Sequence, residues 1–197
     1  MRGITFSQSS IDNILNGSKQ QTRRVVATQS DYLHGSIEHG GARWVIAVKD
    51  GVAEIRCPFG KKGDGLYIKE DFSHVEGSTL YRQRRDKLPQ GYKWKSPRWF
   101  PRAAARLHIV LTSIRVERLQ DITVRDIKRE GPPLDDDAGS LWRFAQRQGK
   151  RRVSEFYFRQ AFQIYWDSIN LPRGWGWNKN PLVWVLGFKL ATREVEL

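Results

Sequence analysis

Ala42-Arg43-Trp44-Val45-Ile46-Ala47-Val48-Lys49-Asp50-Gly51-Val52-Ala53-Glu54-Ile55-Arg56 alternates apolar and polar residues around Asp50-Gly51. Asp-Gly is among the commonest two-residue hairpin turns, because both tolerate the positive φ that such turns require, so the segment reads as a β-hairpin. Outward from it, residues 66–70 continue as a strand, residues 106–118 alternate again, and residues 182–190 form a last, nearly all-apolar strand. A short strand at residues 4–6 precedes a helix for which Ser7, Ser9 and Ser10 offer N-caps; Ile11, Ile14 and Leu15 share one of its faces and Gly17 stops it. Thr123 caps a second helix over residues 124–130, with Asp126 three positions on and Gly131 as its stop. A third helix is predicted from about 154 to 169.

Two stretches break this rhythm. Residues 76–105 are rich in Arg, Lys, Pro and Gly and hold Tyr81, Tyr92, Trp94 and Trp99, which reads as irregular, functional loop. Residues 132–160 begin with Pro132-Pro133 and an acidic run at 135–137 and pass through a basic run at 147–152, which reads as an insertion. Short strands of mixed spacing with helices scattered among them argue against a doubly wound sheet, which needs regular βα alternation. The predicted class is α+β: one domain over residues 1–197, built as a small mixed barrel with helices packed on it.

The charge narrows the partner. Lys and Arg number 34 against 21 Asp and Glu in 197 residues, a formal charge of +13 and a pI near 10.2. Such a globule is suited to a polyanion, since each cation set against a phosphate releases a condensed counterion. The chain contains neither an apolar run long enough to span a bilayer nor a sustained basic amphipathic helix, so no membrane partner is expected. The opening Met1-Arg2-Gly3-Ile4-Thr5-Phe6 turns polar at Ser7, too early for the apolar core of a signal peptide. A lone Cys57 suits a reducing compartment, and the expected location is the cytoplasm. His34, His39, His74, His108 and Cys57 have no metal-ligand spacing, so neither metal nor other cofactor is expected. Residues 60–65, Gly-Lys-Lys-Gly-Asp-Gly, lack the terminal Lys-Ser/Thr of a phosphate loop and read as a turn, and Cys57 reads as a packed or turn residue.

Three features could carry chemistry. Gly17-Ser18-Lys19-Gln20-Gln21-Thr22-Arg23-Arg24 sets a lysine and a threonine three residues apart just beyond a helix end. A lysine acts as a base only as the free amine, and burial beside Arg23 and Arg24 would favour that form; on the residues alone a solvated basic turn fits as well. Glu130 stands in the last turn of its helix, at the negative end of the dipole, where a cation is ordinarily favoured. It reads either as an exposed residue that tolerates a small penalty or as a functional one, and Glu70, ending an apolar strand, is ambiguous in the same way. Lys93-Trp94-Lys95-Ser96-Pro97-Arg98-Trp99-Phe100-Pro101-Arg102 combines charges that pair with phosphates and rings on which a base could stack, or else it is core tryptophan with a solvated rim.

Together these stretches resemble the ASCH family, a branch of the PUA-like barrels, in its longer members often encoded by phages and prophages. Residues 17–24 match its G-x-K-x-x-T-R-R, and Cys57-Pro58-Phe59-Gly60 through Gly63-Asp64-Gly65-Leu66-Tyr67-Ile68-Lys69-Glu70 is similar to its C-P-Y-G and G-D-x-L-W-V-R-E segment. Pro101-Arg102 with Arg106, residues 116–122 leading to Glu130-Gly131, and Trp166-Asp167-Ser168-Ile169-Asn170 with residues 180–185 agree as well. Gln20 and Ala103 depart from it, standing where Thr and Trp are usual. The resemblance implies a PUA-like mixed β-barrel with insertions near residues 25–56, 76–105 and 132–160, which compact relatives lack. Those compact relatives are amidohydrolases of N4-acetylcytidine, and the resemblance puts their catalytic roles on Lys19, Thr22 and Glu130. The substrate-binding residues expected around that centre are Arg23, Arg24, Glu70, Tyr81, Trp99 and Arg102. The substrate implied is a modified pyrimidine nucleoside, free or within RNA or single-stranded DNA. A ribonuclease is a second possibility within the family. The third is a binding module without catalysis, in which Arg23, Arg24, Arg98 and Arg102 contact phosphates and Trp99 or Tyr81 stacks a base.

Overall fold

The computed structural model describes residues 1–29, 36–39, 43–48, 51–82, 87–133, 136–149 and 152–191. Its strands are β1 (Arg2–Thr5), β2 (Gln21–Val25), β3 (Ser36–His39), β4 (Arg43–Val48), β5 (Gly51–Arg56), β6 (Gly65–Lys69), β7 (Phe72–Val75), β8 (Ser78–Tyr81), β9 (His108–Arg118) and β10 (Leu182–Leu190). Its helices are α1 (Gln8–Leu15), α2 (Val124–Glu130), α3 (Asp136–Arg147) and α4 (Arg152–Asn170). The class is mixed α+β.

A five-stranded sheet runs β1-β6-β9-β10-β2, with β1 and β6 parallel and the other neighbours antiparallel. Strands β3-β4-β5 form a second sheet and β7-β8 a separate hairpin. The expected barrel does not close among the described residues. The ladder of the large sheet starts at β1 and stops at β2, and the three-stranded sheet packs on it through side chains, with Trp44 meeting Trp184 edge to face at 4.9 Å.

β10 organises the interior because it is buried on both faces. Leu182, Trp184, Leu186 and Phe188 enter a core shared with Ile4, Ile11, Trp44, Ile55, Leu66 and Ile109, while Val183 and Val185 enter a second core with Ile127, Phe158, Phe162 and Trp166 beneath the helices. That double burial explains a strand without alternation.

Several expectations are shifted. The hairpin forms, but Val48 pairs with Gly51, so Gly51 begins β5 instead of occupying the turn; Asp50 lies outside the described residues. Leu15 is 51 % exposed, leaving Ile11 and Ile14 as the buried face of α1. Part of residues 76–105 is ordered as β8, reached through a tight turn in which Glu76 and Gly77 both have positive φ. Two short 3-10 turns, Pro97–Trp99 and Arg102–Ala104, follow in the same stretch. Residues 132–160 hold α3 and the start of α4, which pack on one another through Trp142 and Phe158, with ring centroids 5.0 Å apart. The predicted capped helix is found unchanged as α2, with Thr123 Oγ1 accepting the Asp126 amide at 3.1 Å. Cys57 is buried, and burial pushes its thiol up. No helix is long and apolar enough to cross a membrane, and no cluster of three His, Cys, Asp or Glu suited to a metal ion occurs among the described residues.

Candidate active site

Lys19 sits in the connection between α1 and β2, and three backbone hydrogen bonds fix that connection. Lys19 N donates to Asn13 O at 2.9 Å, Gln20 N to Arg129 O at 2.8 Å, and Phe188 N to Gln20 O at 2.9 Å. The loop is thereby pinned to α1, to the end of α2 and to β10. β2 then alternates: Arg24 lies over Phe6 with Thr22 on the same face, while Arg23 turns under the helices, 5.9 Å from the Phe162 ring. α2 ends at Glu130, and Gly131, at φ 82°, lets the chain leave beside the lysine. A Cβ at Gly131 would lie 3.0 Å from Lys19 Cβ, so the approach needs glycine in space as well as in conformation.

The result is a buried ion-pair network. Lys19 and Glu130 are 4 % and 5 % exposed. Lys19 Nζ donates to Glu130 Oε2 at 3.1 Å and to the Glu130 backbone carbonyl at 2.6 Å, and Arg23 Nη1 donates to Oε1 at 2.8 Å. Arg23 Nη2 donates to Glu117 and lies 3.7 Å from Asp126, and Arg115 closes the far side on Glu117 Oε2 at 2.8 Å and Asp126 Oδ2 at 3.0 Å. Three cations thus meet three carboxylates. Burial would raise the Glu130 carboxyl, but Lys19 and Arg23 outweigh it and hold that group below the usual carboxylate range. Asp126 is likewise lowered, burial being outweighed by the Thr123 hydroxyl and by Arg115 and Arg23. The position of Glu130 against its helix dipole is thus resolved by two cations from other elements.

Thr22 is not hydrogen-bonded to Lys19 among the described residues. Its Oγ1 accepts from Arg24 Nη1 at 2.9 Å, and Arg24 also donates to Thr5 O at 2.7 Å and lies over the Phe6 ring, 5.2 Å from its centroid. Burial lowers the Arg24 guanidinium from its ordinary value.

A cavity of about 430 Å³ opens here, lined by Lys19, Thr22, Arg23, Arg24 and Glu130, with Phe6 and Ser10 on one wall and Phe162, Tyr165 and Arg173 on another. Its size suits a nucleoside-sized ligand, and it combines aromatic walls with a few convergent polar groups. The chain matches no family model, no curated protein and no solved structure.

Five of the nine expected site residues meet in this cavity. The other four lie elsewhere. Glu70 is fully buried in a two-pronged pair with Arg106, at 2.9 and 2.7 Å. Tyr81 lies under that same guanidinium, 4.2 Å from ring centroid to Cζ, and its hydroxyl donates to Ala104 O at 2.6 Å. Trp99, 72 % exposed, and the exposed Arg102 belong to the 3-10 turns that begin at Pro97, and Pro97 itself lines the cavity. Trp99 is therefore a surface ring outside the cavity lining. Sequence reasoning missed Phe6, Tyr165 and Arg173, which reach the cavity from distant parts of the chain and carry no local signal. Glu117, Asp126 and Arg115 carried a faint one, as charges on an alternating strand and a helix first turn.

Proposed function

We propose that the chain is an ASCH-type hydrolase of PUA-like architecture that removes an acyl group from the exocyclic amine of a modified pyrimidine nucleoside, free or within a polynucleotide. The observation that carries this reading is the convergence of Lys19, Thr22 and Glu130 on one nucleoside-sized cavity. In the proposed reaction Glu130 stays a carboxylate and fixes Lys19 in place, and Lys19, once it has given a proton to solvent, takes the Thr22 hydroxyl proton as Oγ1 attacks the acyl carbonyl. Arg24, already hydrogen-bonded to that oxygen, orients it for the attack. The C–N bond breaks, the pyrimidine amine leaves with the proton held by Lys19, and an acyl-threonine ester remains. Water, deprotonated by the same amine, attacks the ester, releases the carboxylic acid and restores Thr22.

The architecture proposed is a PUA-like barrel opened between β2 and β1, with the β3-β4-β5 sheet packed on the large sheet through Trp44 and Trp184. A second reading, a nucleic-acid-binding module without catalysis, is favoured by the exposed Trp99, Arg98 and Arg102 in the turns that follow Pro97 of the cavity wall.

Incubation of the protein and its Lys19→Ala and Thr22→Ala variants with N4-acetylcytidine, and separately with labelled single-stranded RNA, separates the readings by chromatography. Cytidine released by the parent alone supports the hydrolase. Shortened RNA with intact nucleoside means a ribonuclease. Retention of RNA with no change in either substrate leaves the binding module.

A further inference from the structure

Six charged side chains line the cavity, Lys19, Arg23, Arg24 and Arg173 against Asp71 and Glu130, an excess of two positive charges. Their partners show where the excess resides. Glu130 is neutralised by Lys19 and Arg23, and Arg23 has Glu117 and Asp126 besides. Asp71 faces Arg82, 3.3 Å away outside the cavity. Arg24 donates only to neutral oxygens, those of Thr5, Thr22 and Arg23, and has no carboxylate partner among the described residues. Arg173, exposed at the end of the 3-10 turn that follows α4, has neither a hydrogen bond nor an ion pair among them. The cavity therefore holds two guanidiniums with no ion-pair partner among the described residues, one within it and one at its rim; Glu130, already paired with Lys19 and Arg23, acts on Arg24 only at a distance. A neutral nucleoside would leave both without an ion-pair partner. The guanidinium fork is matched to the oxygens of a phosphate.

We propose that the substrate enters as a phosphate-bearing nucleotide unit, its phosphate held between Arg24 and Arg173 while the modified base occupies the cavity. This rests on the hydrolase reading for the base and on the unpaired guanidiniums for the phosphate. The phosphate can belong to a free nucleotide or to a strand, and the same pair of cations would hold either.

Calorimetric titration with cytidine, cytidine 5′-monophosphate and the trinucleotide CpCpC, which carries no terminal phosphate, tests the proposal without any turnover. A phosphate-bearing probe is expected to bind the parent about tenfold or more tightly than cytidine. In Arg173→Ala that ratio should fall below about threefold; the residue is exposed and unpaired, so the variant folds. An Arg173-dependent advantage for the monophosphate assigns the site to a nucleotide or strand end, and one confined to CpCpC assigns it to an internal strand phosphate. Phosphate-bearing probes that bind no better than cytidine, or an advantage that survives Arg173→Ala, would overturn the proposal. Incubation with N4-acetylcytidine and its 5′-monophosphate separates the two readings. A phosphate advantage without deacylation keeps the phosphate site and removes the reaction. Deacylation of both at equal kcat/KM keeps the reaction and removes the phosphate site.

Discussion

Lys19 is held by both the backbone and the side chain of a single residue: its Nζ lies 2.6 Å from the Glu130 carbonyl oxygen and 3.1 Å from Glu130 Oε2. Removing the carboxylate leaves Lys19 and Arg23 buried without it. Glu130→Ala is expected to cost roughly 3–5 kcal/mol, read as a drop in the urea midpoint. The double variant Lys19→Met with Glu130→Ala should cost less than the sum of the two single changes, because the first removes the charge that the second strands.

The acid limb of stability follows from the same pair. Glu130 and Asp126 are both lowered in the folded state, so their contribution is complete above the ordinary carboxylate value of about 4.3 and is lost as pH falls through the lower folded values. Urea midpoints measured downward from pH 7 should hold until about pH 5 and then fall steeply. Glu130→Gln should begin less stable and fall less over that range. Parallel curves for the two proteins would contradict this.

Thr22→Ala should abolish N4-acetylcytidine hydrolysis, by at least about a thousandfold in kcat, while cytidine still binds. Thr22→Ser, which keeps the hydroxyl, should retain measurable turnover. A Thr22→Ala protein as active as its parent would remove the nucleophile assignment.

Trp99 is set off from the core by its exposure, so Trp99→Ala should leave the melting temperature unchanged while weakening single-stranded RNA binding by about 1–3 kcal/mol through the missing stacking surface. The slope of log K against log salt should stay the same. Replacing Arg98 or Arg102 by Ala should instead lower the slope by about 0.7 for each phosphate that is no longer neutralised.

At Gly131 both conformation and space exclude a side chain, since φ is 82° and Lys19 Cβ and Asn13 Nδ2 crowd the Cβ position at 3.0 and 3.2 Å. Gly131→Ala should cost about 1–3 kcal/mol in thermal or urea unfolding. It should also disturb turnover more than a surface change of equal stability cost, because the clash falls on the stem of Lys19.

What was legible in the sequence is what local chemistry writes. The cap at Thr123, the stop at Gly131 and the apolar run of β10 each act within a few residues, and each is found where expected. The turn between β7 and β8 escaped notice because Glu76 is not a residue that ordinarily takes a positive φ. α3 escaped because its acidic start reads as a break, although carboxylates near a helix N-terminus are favourable. At the site, the spacing of Lys19 and Thr22 and the misplaced charge of Glu130 were visible along the chain. Their meeting was not, since it depends on α2 reaching back to the loop before β2. For Tyr81 the local signal was an aromatic in a basic stretch, which suggests a base platform; that Arg106 lies over its ring could not be read along the chain.

The network of Lys19, Arg23 and Arg115 with Glu117, Asp126 and Glu130 also limits how this sequence can drift. Three positive and three negative groups sit together at zero net charge, all but Arg115 largely buried, so a lone neutral substitution at any of the six leaves an odd charge behind. Change is accessible chiefly in matched steps, one cation with one carboxylate. Arg115, the most exposed of the six, is the member at which such a step can begin. A history of compensated exchanges would therefore start at the rim of β9 and reach the most deeply buried members, Lys19, Arg23 and Glu130, last.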